Sequence, residues 1–123
     1  MIAIRVHSLA QARAVREVAP QALLVSPPAL SVGVGWWREV LKAADCEGVL
    51  DCGPSPGLAL AALRAGIRHV WLDADPSTLA KIAAIAQQVG GRAELRGKVA
   101  LDLLGVADAR AALRQAVLSQ ELP

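Results

Sequence analysis

The sequence predicts an α/β protein built on a parallel sheet. Short apolar runs alternate with stretches of helical periodicity in about five repeats. Several runs are nearly uninterrupted Val, Leu and Ile, as expected of strands covered on both faces. Helix starts follow the runs closely: Ser8, Ser55 and Asp75 stand where N-caps belong, with Pro56 and Pro76 at the first helical position.

The elements follow in chain order. Residues 2–7 read as the first strand. Ser8 caps a helix, and Gln11 three residues on completes a capping box. Leu9, Ala12, Val15, Val18 and Ala19 share one face of that helix, and Pro20 stops it. Residues 22–26 form the second strand. Pro27 and Pro28 force a turn, and Gly33-Val34-Gly35-Trp36-Trp37 leads into a helix reaching about Asp45. Residues 48–51 form the third strand, and the helix opened by Ser55 ends at Gly66. Residues 69–73 form the fourth strand. The helix after Asp75 carries Leu79, Ile82, Ala83, Ile85, Ala86 and Val89 as a stripe and ends at Gly90-Gly91. A fifth strand falls within 93–99, and a last helix starts near Ala107.

Nothing divides the chain, so residues 1–123 read as one domain. Two strand orders fit. The first is a flavodoxin-like or Rossmann-like three-layer fold, doubly wound. The second is a singly wound, half-barrel-like sheet. Right-handed crossovers would then place every helix on one face. The bare face, with the apolar outer sides of strands two to four, would need covering by a dimer partner. Arg5 in strand one, and Glu94 and Arg96 in strand five, suggest that these two strands lie at the edges.

Composition narrows the function classes. The apolar fraction is 54%, and the only aromatics are Trp36, Trp37 and Trp71, so the core must be aliphatic. Mean hydropathy is +0.42. Even so, charged or polar residues such as Arg64 and Gln87 break every apolar run well short of the roughly 20 residues a membrane span needs. No secretory signal is evident, which points to the cytoplasm. Net charge is only +2, and the arginines are dispersed, unlike the concentrated basic patch of a nucleic-acid binder. Cys46 and Cys52, with His7 and His69, have no metal-ligand spacing. No phosphate-loop motif is present, so no cofactor is expected.

Parallel sheets bind ligands at the carboxyl ends of their strands. Those ends carry His7 and Ser8, Ser26, Asp51 and Cys52, then Asp73 and Asp75. Asp51 is the leading candidate, because unlike Ser8, Ser55 and Asp75 it has no capping role to explain it. His7 and Asp73 are its candidate catalytic partners. Ser8, Ser26, Cys52, Gly53, Ser55 and Asp75 are candidate ligand contacts. Trp36 and Trp37 are candidates for a self-association surface, since tryptophan is enriched at interfaces.

Two families share parts of this pattern. Val49-Leu50-Asp51-Cys52-Gly53-Pro54-Ser55-Pro56-Gly57, followed by Asp73, resembles the cofactor loop of class I S-adenosylmethionine methyltransferases. Ser55 stands where that family has glycine, and the chain is too short for the family's seven-stranded sheet. Length, strand–helix alternation, Asp51 and Lys98 resemble a bacterial response-regulator receiver. That family's acidic pair is replaced by His7-Ser8, and its Ser or Thr after strand four by Asp73, which would leave a degenerate receiver without phosphorylation chemistry.

The functional expectation is a binding or regulatory module for a small polar ligand or a protein partner. An acid–base enzyme using Asp51 with His7 or Asp73 is the second reading, and a structural homodimer subunit the third.

Overall fold

The computed structural model describes residues 2–119. Among them are six strands and six helices. They run β1 (Ala3–Arg5), α1 (Leu9–Val18), β2 (Leu23–Val25), α2 (Ala29–Val32), α3 (Val34–Ala44), β3 (Leu50–Asp51), α4 (Pro56–Arg64), β4 (His69–Leu72), α5 (Pro76–Gln88), β5 (Arg92–Leu95), β6 (Leu101–Asp102) and α6 (Ala109–Leu118). No helix among the described residues is long and apolar enough to cross a membrane.

The caps behave as predicted. Ser8 accepts from the Gln11 N–H, Ser55 from Leu58 and Asp75 from Thr78. Pro56 and Pro76 begin their helices. A fourth cap, Asp108, opens α6. Gln11 does more than the capping box requires. Its side chain accepts from the His7 N–H at 2.7 Å and donates to Leu103 O at 2.8 Å, tying α1 to the chain beyond β6.

The strands form two parallel three-stranded sheets, β2-β1-β6 and β3-β4-β5. One parallel bridge, Val25 to Val49, joins β2 to β3. The lateral order is therefore β6-β1-β2-β3-β4-β5. The single five-stranded flavodoxin-like sheet is not seen, because β1 lies between β2 and β6 rather than beside β3. The edge reading holds for β5 and fails for β1. Arg5 marks a face of the sheet rather than an edge.

Alternation along the strands sorts side chains onto two faces. Ile4, Leu24, Leu50, Val70 and Leu72 pack with Ala12, Val15, Val40, Leu63, Ile82, Ala86 and Leu113 of the helices. The opposite side carries a smaller cluster, Ala3, Val25, Val49 and Trp71, with Leu23 and Val99 against it. No helical residue joins that cluster. Val25 and Val49 are nonetheless fully buried, and Trp71 is 5% exposed. Val25 and Val49 of this face are buried within the chain itself, and the link 96–100 crosses it with Val99 against the cluster and Gly97 against the Trp71 ring.

Two glycines allow close approaches. A Cβ on Gly97 would sit 2.9 Å from Trp71 Cζ2, so the link can lie on the indole only with glycine there. A Cβ on Gly48 would sit 2.9 Å from both Trp37 and Leu41, at the entry to β3. That contact belongs to the burial of Trp37, which has no exposed surface. Trp37 is a core residue and not an interface residue as expected. Trp36 stacks on it with ring centroids 6.1 Å apart and stays half-buried.

Candidate functional site

The carboxyl ends of the strands gather one buried polar cluster. Asp51 closes β3 and is 1% exposed. Its Oδ2 accepts from Arg5 Nη2 at 2.7 Å and from Arg96 Nε at 3.1 Å, with Arg96 Nη2 at 3.0 Å. Its Oδ1 accepts from the Gly53 N–H at 3.0 Å. Gly53 reaches that position with a φ of 55°, in the left-handed region that glycine tolerates. The Asp51 N–H donates to Ser26 Oγ at 2.9 Å, and Ser26 donates in turn to Pro27 O at 2.7 Å.

Arg5 ends β1 on the same face and is 7% exposed. Its Nε is buried without a hydrogen-bond partner among the described residues. Arg96 follows β5 and is more open, its side chain 43% exposed. The two arginines, with Gly97, Val99 and Asp102, line a shallow, open cavity of about 440 Å³. Asp102 ends β6. Its Oδ1 lies 2.6 Å from His7 Nε2 and accepts from the Leu104 N–H at 3.0 Å. Burial pushes the Asp102 carboxyl upward, but the bonds from His7 and Leu104, with the charge of Arg5, outweigh it and hold it below the usual range.

The expected site residues separate into groups. Asp51 is at the centre. His7 is near the mouth but bonded to Asp102, not to Asp51. Asp73 is exposed, and its backbone N–H, not its carboxylate, ties the loop through Gly53 O at 2.8 Å. Ser8, Ser55 and Asp75 are caps. Thr78 bonds to Asp75 hold that carboxyl below its usual range. Ser26 has no exposed surface and both its hydroxyl roles are filled, so it positions Asp51 and cannot touch a ligand. Cys52 is buried, and desolvation with the adjacent Asp51 charge pushes its thiol up to about 12, so it stays protonated. Lys98 is exposed, and Arg96 is the cation that meets Asp51.

Arg5, Arg96 and Asp102 did not stand out in the sequence as ligand contacts. A signal was present for Arg5. A lone charge inside a short apolar strand must be solvated or paired, and Asp51 is the matching lone charge two strands away.

A second polar cluster lies at the amino ends of β4 and β5. Arg92 Nη2 lies 3.3 Å from His69 Nδ1, and Glu94 Oε1 lies 2.8 Å from Arg92 Nε. His69 Nε2 is 2.9 Å from the same Glu94 oxygen, off the line a hydrogen bond needs. Burial, then the Arg92 charge, lower the His69 pKa despite Glu94 and Glu47. No group of three metal-ligating side chains occurs among the described residues.

No family model matches the chain, and no curated protein or solved structure matches it.

Proposed function

We propose that the chain is a binding module for a small ligand carrying an acid group, with Arg5 and Arg96 as the recognition pair. The observation that carries this is the sharing of one buried carboxylate by two guanidinium groups at a cavity of about 440 Å³. A shallow depression of that size admits a small ligand at the surface, so the affinity must come from the charged groups and not from enclosure. A guanidinium has five donors in a planar fork that matches an oxyanion in two-point contact. Asp51 alone cannot use all the donors of two such groups. It fixes them in place instead, so the cations are oriented before a ligand arrives. The fold reading that supports this is a singly wound, half-barrel-like sheet, one unit over residues 1–123, folded over its own bare face. Its strand carboxyl ends then form the mouth.

The acid–base reading is weaker. Both Asp51 oxygens already accept hydrogen bonds, and neither His7 nor Asp73 bonds to that carboxylate.

The test is isothermal titration with acetate and with inorganic phosphate. The wild type binds at least one of them. Arg96→Gln, a change at a half-exposed side chain, weakens that binding about tenfold or more. A protein that binds neither anion, or a variant that binds as well as the wild type, would sink the reading.

A further inference from the structure

We infer that the ligand of this site is a zwitterion of the amino-acid type, its carboxylate held by Arg5 and Arg96 and its ammonium group by Asp102. This rests on the acid-binding reading above and names its ligand class. The argument begins with charge. The mouth holds two guanidinium groups and two carboxylates, those of Arg5, Arg96, Asp51 and Asp102. With the His7 imidazole neutral these four cancel, so the site then has no excess positive charge with which to favour a bare dianion. A ligand that carries both signs in matching positions gains at both ends.

The two carboxylates play different parts. Asp51 is 1% exposed and its oxygens are used by Arg5, Arg96 and Gly53. Asp102 has its side chain 47% exposed and lines the cavity. Both of its described bonds, from His7 and from Leu104, fall on Oδ1. Oδ2 receives no hydrogen bond from the described residues. Asp102 lines the cavity, and an ionised oxygen there with no donor among the described residues is a seat for a donor that carries positive charge. His7 and the Leu104 N–H act as positioning groups that fix the carboxylate's rotamer. A neutral hydroxyl could also reach Oδ2, but only a cation gains the charge term.

Matched pairs of ligands test this by isothermal titration: glycine against acetate, β-alanine against propionate, 4-aminobutyrate against butyrate. Each pair differs only by the ammonium group, and the series scans the unknown spacing. At least one amino acid binds about tenfold more tightly than its plain acid, and Asp102→Asn brings it down to the plain acid's level. If all three pairs bind equally, or the preference survives in Asp102→Asn, the zwitterion inference fails while acid binding stands. If neither member of any pair binds, the zwitterion inference fails, and the acid-binding reading then stands or falls on inorganic phosphate. The wild-type comparison decides even if the Asp102 variant does not fold.

Discussion

Leu50 and Asp51 are neighbours in β3, both essentially without solvent contact, and they face opposite ways. Leu50 enters the aliphatic layer between sheet and helices. Asp51 enters the bare face, where two arginines compensate it. The helix-covered side holds itself together by area and tolerates imprecision, because dispersion and the hydrophobic effect are non-directional. The bare side depends on a few directed bonds and on one tryptophan. A charge there is safe only while every partner is present.

The largest break in this comparison should come at Asp51. Asp51→Asn removes the counter-charge of a buried guanidinium and should cost about 3–5 kcal/mol in urea unfolding. Adding Arg5→Met to that variant should recover part of the loss. If Asp51→Asn unfolds like the wild type, the ion cluster is not what holds this face. Next in size is Gly97→Ala. Its methyl group must displace the buried Trp71 ring, which should cost about 1–3 kcal/mol. An unchanged urea midpoint would show that the link 96–100 can lift from the indole.

The smallest effect is at the amino-end cluster. The folded pKa of His69 lies below its ordinary 6.5. As pH falls past 6.5 the unfolded chain takes up a proton first, so this group's contribution is complete above that pH and is lost below it. Urea midpoints at about pH 7.5 and about pH 5.5 should differ less in His69→Gln than in the wild type. An equal pH dependence in both proteins would remove His69 from the account.

Much of the scaffold was legible because its signals are local. Ser8, Ser55 and Asp75 cap where their sequence positions say, and helix stripes such as Leu79, Ile82 and Ala86 pack where periodicity puts them. What escaped is non-local. β6 is two residues long and has no pattern of its own. It is a strand only because Leu101 and Asp102 meet Ile4 and Arg5. The same holds for the candidate site. Asp51 could be found as an acid without a cap to explain it, but Arg5 and Arg96 join it across separations of 46 and 45 residues. An arginine at a strand end reads as surface until its partner is known. Trp37 was misread for a similar reason, since its burial depends on Gly48, beyond its own helix.

The strand order also bears on how the chain assembles. From β1 to β5, each strand meets a neighbour about twenty residues away in sequence, so the sheet can grow by successive short closures. The pairing of β6 with β1 is different. It joins Ile4 to Leu101, at the two ends of the chain. Closing a loop roughly five times longer costs about 1.4 kcal/mol more in chain entropy, and it is offset by the two paired residues, by Gln11 on Leu103, by the His7–Asp102 pair and by the burial of Leu103 and Leu113 in the main core. The strand that supplies Asp102 to the cavity is therefore the one whose pairing is least favoured by chain statistics.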